Sequence, residues 1–171
     1  MSPLKMLVNI FCAGYWRNYR QLLLALLNEM LSTGFLKEVV MIEETIKPRF
    51  CETDGLGHIN NTVVAQWFEG ARDPIFKWFT PDLNLKAWKL ILAKTTVEFH
   101  AELQYGADVE LKSHISRIGN SSFDVYQEAW QQGVKCASGT AVMVHFNYQS
   151  KKSEKISATA LASMQRHYIE L

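Results

Sequence analysis

Cysteine is scarce in this sequence, and its scarcity excludes the small disulfide-rich class of protein. Only three cysteines occur among 171 residues, at positions 12, 51 and 136, and they form no CxxC pair. Neither a disulfide framework nor a zinc ribbon is indicated. The five histidines are scattered and form no HxxxH pair, so we expect no metal site. Free cysteines are typical of a reducing compartment, and we expect the cytoplasm.

An excess of charge of one sign and long apolar runs are also missing. The formal net charge is +1, which provides no basic field for holding nucleic acid. The longest strictly apolar run, residues 22–27, is far shorter than the ~20 residues that span a bilayer. We therefore expect no nucleic-acid partner and no stable insertion in a membrane. The chain is 48% hydrophobic and 20% charged, which is the composition of a folded globular domain.

Two parts of the chain differ in composition. Residues 1–40 hold four basic and two acidic residues, and a run rich in Leu and Ala at 19–31 favours a helix. This N-terminal helical extension could pack on the domain or on a partner subunit, or it could be a targeting segment. It could also lie outside the native reading frame if Met41 is the start. We expect residues 41–171 to form the folded domain.

The first half of the predicted domain consists of a strand and a helix. Residues 39–50 carry β-branched side chains and predict a first strand. One long helix is predicted over 61–79, where proline 74 should kink the helix or start a new turn. Its apolar stripe recurs at helical spacing and comprises Val64, Trp67, Phe68, Ala71, Ile75 and Phe79.

Alternation of period two predicts the remaining strands, joined by turns such as Gly119-Asn120 and Gln132-Gly133. Ser157 is expected to cap a final short helix. The fold class is therefore α+β, with an antiparallel sheet of about five strands wrapped around one long central helix. Four sets of alternating residues are each expected to share a face: Val97, Phe99, Ala101 and Leu103; Val109, Leu111, Ser113 and Ile115; Phe123, Val125, Gln127 and Ala129; Val142, Val144, Phe146 and Tyr148.

A long motif lies between the first strand and the helix. The stretch RFCETDGLGHINNTVVAQWFEGAR, residues 49–72, resembles the signature of the hotdog-fold acyl-CoA thioesterases of the 4-hydroxybenzoyl-CoA thioesterase type. RIGNSSFDVYQEA and CASGTAVMVHF resemble the strands that follow in that family, so the resemblance covers about residues 42–150. It implies a hotdog fold, a homodimer or homotetramer with sites at the subunit interface, and hydrolysis of an acyl-CoA or acyl-carrier thioester. Coenzyme A enters as part of the substrate, and no cofactor is expected.

The resemblance also implies roles for individual residues. The catalytic carboxylate falls on Asp54, and the backbone N–H of Asn61 falls at the position of the oxyanion donor. His58 could orient the carboxylate or bind substrate, although a structural role in the loop is the commoner one. Val64 stands where the family usually carries an aromatic, which implies a wider or differently shaped acyl pocket. The residues expected to contact substrate are Gly57 and Asn60 beside the helix start, Arg117 as a phosphate contact, and Gly119, Ser121 and Ser122 near the pantetheine or nucleotide.

Thioester chemistry agrees with these residue types. The leaving thiol, with a pKa near 8.5 if it resembles cysteine, departs as a thiolate with little help from an acid. The enzyme then needs a base or nucleophile and a donor for the developing oxyanion. The N-terminus of a helix supplies free N–H groups and about half a positive charge. Asp54 could activate water or attack the carbonyl itself, and the sequence does not choose between the two routes.

Rival residues and rival functions remain open at this stage. Glu69 lies about 13 Å along the helix from its start, so a surface or interface ion pair with Arg72 is the better interpretation. Cys51 has no basic partner placed by the sequence. A hydratase or dehydratase on the same fold would pair a histidine with a carboxylate across the pocket. A non-catalytic module would bind acyl-CoA without cleaving it.

Overall fold

The computed structural model describes residues 39–170. Within that range nine helices and strands follow one another along the chain, together with 3₁₀ turns at Phe50–Glu52 and Leu85–Ala87. In chain order they are β1 (Ile42–Ile46), α1 (Asn61–Gly70), α2 (Asp73–Phe76), β2 (Leu90–Phe99), β3 (Val109–Ile118), β4 (Ser122–Gln131), β5 (Val134–Asn147), β6 (Lys152–Ser153) and α3 (Ala158–Arg166).

The strands form one curled antiparallel sheet in the order β1-β3-β4-β5-β2, and β6 pairs with β5. The predicted antiparallel sheet is therefore confirmed. The alternating residues predicted to share faces on β3 and β4 are all buried, from Val109 to Ile115 and from Phe123 to Ala129. On β5 the inner face carries Ala141, Met143 and His145, and the set predicted there lies on the opposite face.

Strand β2 differs most from its prediction. It begins at Leu90 and leaves the sheet after Phe99, where the N–H groups of His100 and Ala101 both donate to the carbonyl of Cys136. Because β2 ends at Phe99, the prediction that Ala101 and Leu103 share a strand face with Val97 and Phe99 is wrong, and Phe99 itself is 53% exposed. The reason is position: β2 pairs with β5 on one side only, and among the described residues no strand covers its other edge.

The first strand is shorter than predicted. Residues 39–50 were expected to be extended throughout, but β1 ends at Ile46. Pro48 lacks an N–H and cannot donate to the sheet, and the chain then winds into the 3₁₀ turn at Phe50–Glu52. That turn changes the direction of the chain immediately before Asp54.

The prediction of a single long helix is also wrong. α1 ends at Gly70, with Ala71 as its C-cap, and a separate four-residue α2 begins after Arg72. Pro74 lies in the first turn of α2, where a missing N–H costs nothing, whereas in a continuous helix it would have to donate to Gly70. The predicted apolar stripe survives the break, because all six of its residues are buried against the sheet.

Helix α1 approaches the sheet closely at Gly139. A Cβ built there would lie 2.5 Å from the backbone oxygen of Thr96 and 3.0 Å from the ring of Phe68 on α1. Backbone on one side and a buried aromatic ring on the other leave no room for a methyl group. The absence of a side chain at this position lets α1 pack against the centre of the sheet.

We predict opposite effects for two glycine-to-alanine substitutions. Gly139→Ala should destabilise the fold by about 1–3 kcal/mol, because the added methyl overpacks the contact between helix and sheet. Gly70→Ala, where nothing lies within 4 Å, should stabilise α1 by about 0.5–1 kcal/mol. Urea unfolding of both variants measures the difference. Equal stability of the two would contradict this account of the packing.

The predicted N-terminal extension lies almost wholly outside the described residues, and its role remains a prediction. At the other end, Ser157 accepts a hydrogen bond from the N–H of Ala160 at 3.2 Å and caps α3, as the sequence predicted. Across residues 39–170, no helix has both the length and the apolar character needed to cross a bilayer.

Candidate functional site

A cleft of about 540 Å³ opens where the loop before α1 meets the chain leaving β2. The predicted catalytic pair, Asp54 and Asn61, lines it together with His58. Its other walls are Ile59, Val64, Phe99, His100, Ala101, Glu102 and Leu103. The loop is fixed there by hydrogen bonds across the cleft's base, including one of 2.7 Å from the N–H of Ile59 to the carbonyl of Leu103.

The carboxylate of Asp54 has one oxygen bonded and one free. Oδ1 accepts from the N–H of Leu56 at 2.7 Å and from the N–H of His58 at 3.2 Å. Oδ2 accepts no hydrogen bond from any described residue. The first oxygen makes the ordinary turn contact of an Asp before glycine, and Gly57 completes the turn with a φ of 87°. The second oxygen remains free to act in the cleft.

The N-terminus of α1 presents an unpaired donor to the same cleft. The side chain of Asn60 caps the helix by accepting from the N–H of Thr62 at 3.0 Å. The N–H of Asn61, the first helical residue, meets no acceptor among the described residues. Free N–H groups at a helix start carry partial positive charge, so this position suits a developing oxyanion.

The imidazole of His58 pairs with Glu102 and makes no hydrogen bond to Asp54. Its Nε2 lies 3.2 Å from Oε2 of Glu102, and His58 contacts Asp54 through its backbone alone: its N–H donates to Oδ1 at 3.2 Å and its carbonyl accepts from the N–H of Asp54 at 2.8 Å. His58 also forms an isolated bridge with Gln104. The residue therefore links the Asp54 loop to the segment after β2, which is the structural role favoured from the sequence.

A second carboxylate, Glu52, lies behind the loop. It is 7% exposed and accepts hydrogen bonds from Arg49 and from the indole of Trp67 on α1. Burial by itself raises the pKa of Glu52, but the hydrogen bonds from Arg49 and Trp67 outweigh it and leave the pKa below its ordinary value. The carboxylate is therefore ionised at neutral pH.

The hairpin predicted to contact coenzyme A lies elsewhere in this chain. Gly119, Ser121 and Ser122 join β3 to β4 at the end of the sheet opposite the cleft, and β3 has ten residues, roughly 30 Å. Arg117 there binds Asp124 through two hydrogen bonds of 2.9 and 2.7 Å. Within one chain the structure does not bring these residues to Asp54.

The rival residues have other surroundings. Arg72 is buried and its Nη1 donates to Oε1 of Gln127 at 3.0 Å, so the expected ion pair with the exposed Glu69 does not form among the described residues. Cys51 is exposed, makes no side-chain hydrogen bond to a described residue and does not line the cleft. Burial raises the pKa of the Cys136 thiol, which disfavours the reactive thiolate.

Sequence reasoning missed Glu52 and Glu102. The alternation predicted for residues 97–103 places Glu102 on the opposite face of a strand from Ala101 and Leu103, whereas β2 ends before it, at Phe99. Glu52 lies inside the motif, but no spacing in the sequence indicates its contact with Trp67. The signal that could have found it is a carboxylate three residues after Arg49, the spacing of a tight turn closed by an ion pair.

Comparisons with known proteins identify the family. The family model described as the thioesterase-like superfamily matches residues 48–164, more than half of the chain. The chain belongs to the thioesterase-like superfamily. Its structure also resembles a predicted thioesterase from Bacillus stearothermophilus, at 42% identity over 77% of this chain and 99% of the other, with a TM-score of 0.75. The implied family is thus confirmed, and the 4-hydroxybenzoyl-CoA type remains a prediction.

Two further similar proteins share less sequence with this chain. A thioesterase from Thermus thermophilus, solved with coenzyme A and Zn, shares 23% identity over 72% of this chain and 96% of its own, with a TM-score of 0.65. The uncharacterized protein YsmA of Bacillus subtilis is 27% identical over 109 residues, 63% of this chain and 74% of that protein.

Among residues 39–170 of this superfamily member, no three His, Cys, Asp or Glu side chains are grouped to hold a metal ion.

Proposed function

We propose that this chain hydrolyses an acyl-CoA thioester to a carboxylic acid and free coenzyme A. One observation carries the proposal: Asp54, whose Oδ2 is free, and Asn61, whose N–H is unpaired among the described residues, line the same cleft. A thioester carbonyl seated between them would meet a base or nucleophile and an oxyanion donor together. Membership of the thioesterase-like superfamily supports the same reaction.

The chemistry needs few groups. Asp54 either removes a proton from an attacking water or adds to the carbonyl to form an anhydride that water then cleaves. In both routes the carbonyl oxygen gains negative charge, which the N–H of Asn61 and the helix dipole stabilise. The thiolate of coenzyme A leaves unassisted. No resident metal or redox group takes part in this scheme.

Product analysis separates the proposal from its alternatives. Incubation with an acyl-CoA, followed by mass spectrometry, should yield the free acid and the free thiol in equal amounts. A hydratase would instead convert an enoyl-CoA to an intact thioester heavier by one water. A binding module would return the substrate unchanged. The imidazole of His58 does not pair with Asp54, but it pairs with Glu102, a carboxylate that lines the same cleft, so the product decides between the thioesterase and the hydratase.

A second copy of the chain is part of the proposal. The uncovered edge of β2 could pair with β2 of the copy in antiparallel fashion, which would set the copy's Leu90 beside Phe99 at the cleft. Within one chain, Leu90 pairs with His145, and Ser122 pairs with the adjacent Val144, so the Arg117 hairpin lies at the Leu90 end of β2. In the dimer, the copy's Leu90 end, with its Arg117 hairpin, would therefore lie near Asp54 of the first chain. The proposed phosphate contact would then act between subunits. Light scattering tests this: an active monomer would contradict it.

Arg117→Ala should weaken binding of coenzyme A thioesters without slowing the chemical step. Nη1 of Arg117 makes no hydrogen bond to a described residue and is available to a phosphate. Losing one charged hydrogen bond should raise KM by about 10-fold, while kcat stays within about twofold. The control is an N-acetylcysteamine thioester, which lacks the phosphates and should react equally with both proteins. Equal loss on both substrates would exclude a phosphate contact.

A further inference from the structure

Glu52 joins three parts of the chain, two of them through its carboxylate and the third through its backbone carbonyl. Oε2 accepts from the backbone N–H of Arg49 at 2.7 Å, and Oε1 accepts from Nε and Nη2 of the same residue at 3.0 and 2.7 Å. Oε1 also accepts from Nε1 of Trp67, in the middle of α1, at 3.3 Å. The backbone carbonyl of Glu52 accepts from the N–H of the helix cap, Asn60, at 2.8 Å.

The residues that Glu52 contacts lie close in sequence to the two reacting groups, the Asp54 carboxylate and the N–H of Asn61. Asp54 follows Glu52 by two residues, and Asn61 follows the capping Asn60 by one. Glu52 itself is not among the residues that line the cleft, so it does not contact substrate. The loop between Glu52 and Asn60 is thus held at both ends by a single residue.

Stability alone does not account for these contacts. Glu52 is buried, but the side chain of its cationic partner Arg49 is 72% exposed, and ion pairs that are open to solvent contribute little to stability. A fixed geometry is a different benefit, because displacement of a reacting group by about 1 Å can cost on the order of 100-fold in rate. The contacts of Glu52 connect the start of the Asp54 loop to the middle of α1. The separation between this loop and α1 sets the distance between the Asp54 carboxylate and the N–H of Asn61.

We propose that Glu52 is a positioning residue that fixes the Asp54 carboxylate relative to the N–H of Asn61. The proposal rests on the proposed function, since those two groups are its reacting partners. Glu52 acts through the loop and the helix and takes no part in proton transfer. Its loss should therefore change the rate of the chemical step more than the binding of substrate.

Glu52→Gln tests the proposal, with Glu128→Gln as its matched control. Glu128 also accepts from a tryptophan indole and a cation, Trp130 at 2.8 Å and Lys135 at 3.3 Å, but it lies on β4 away from the cleft. We expect Glu52→Gln to lower kcat by about 10- to 100-fold with KM within about threefold. Glu128→Gln should leave both constants unchanged. Equal losses in the two variants, or an unchanged kcat in Glu52→Gln, would overturn the proposal.

Hydrogen exchange gives a readout that does not require activity. The N–H groups of Leu56 and His58 donate to Oδ1 of Asp54, so they report whether the loop keeps its geometry. They should exchange at least about 10-fold faster in Glu52→Gln and at the wild-type rate in Glu128→Gln. Unchanged exchange would overturn the proposal even if the wild-type protein cleaved no thioester. A wild-type protein that cleaved no thioester would contradict the proposed function, whatever the exchange rates.

A second variant covers the case in which Glu52→Gln does not fold. Arg49 has a side chain 72% exposed, so Arg49→Met removes two of the donors to Glu52 without opening the core. Its backbone N–H and the indole of Trp67 still bind the carboxylate. A smaller fall in kcat, about 3- to 10-fold, with faster exchange at Leu56 and His58 supports the proposal. Wild-type kcat and exchange in a folded Arg49→Met would overturn it.

Discussion

Asp54→Asn should lower thioester hydrolysis by about 10²–10⁴-fold and leave the fold intact. The amide oxygen of asparagine can still accept from the N–H groups of Leu56 and His58, so the turn keeps its hydrogen bonds. The substitution removes the negative oxygen that the structure leaves free in the cleft. An amide can neither take a proton from water nor attack a thioester. Steady-state thiol release measures the loss, and thermal unfolding checks the fold.

Asp82→Asn is the matched control for that experiment. Asp82 also closes a turn through its side chain, accepting from the N–H of Asn84 at 3.2 Å, but it is exposed and outside the cleft. Its substitution makes the same chemical change in the same kind of turn. Wild-type activity is expected. Retained activity in Asp54→Asn, or an equal loss in both variants, would remove Asp54 from the reaction.

Asn61→Pro should lower kcat by about 10²–10³-fold, the usual cost of losing one oxyanion donor. Proline has no N–H, and at the first position of a helix that N–H has no partner within the helix. The preceding Asn60 already has a φ of −60° and a ψ of 133°, an extended conformation that a following proline requires. The variant thus deletes a single backbone donor while α1 remains formed, which circular dichroism can verify.

Asn61→Ala separates the backbone from the side chain. It removes the amide side chain and keeps the N–H, so kcat should stay within about threefold of wild type. A similar loss in both variants would assign the effect to the side chain. Full activity in Asn61→Pro would mean that the oxyanion is stabilised at another place.

The features that local sequence patterns encode were predictable. Period-two alternation marks β3 and β4 correctly because both are interior strands, with one face against the helices. Gln132-Gly133 forms the turn before β5, with φ of 53° and 79° at its two residues. The apolar stripe of α1 and the cap at Asn60 depend on neighbouring residues alone. Each of these signals lies within a few residues of the feature that it predicts.

Features that depend on contacts between distant parts of the chain were not predictable. The alternation around Phe99 looks like an inner strand, but its exposure follows from an edge position that only the sheet order defines. The contact between Glu52 and Trp67 joins a turn to the middle of a helix. The distance of Arg117 from Asp54 follows from the strand directions. The motif supplied the residues of the site, and the fold decides which of them meet in one chain.

Thiol release from a panel of acyl-CoAs is the most direct test of the account. Short, medium, long and aryl chains would be offered to the purified full-length protein, and free coenzyme A followed with a thiol-reactive dye. We predict rapid release from at least one class, which would also identify the acyl group that fits the cleft beside Val64. Binding of these thioesters with no release from any of them would contradict the central claim that the Asp54 cleft hydrolyses acyl-CoA.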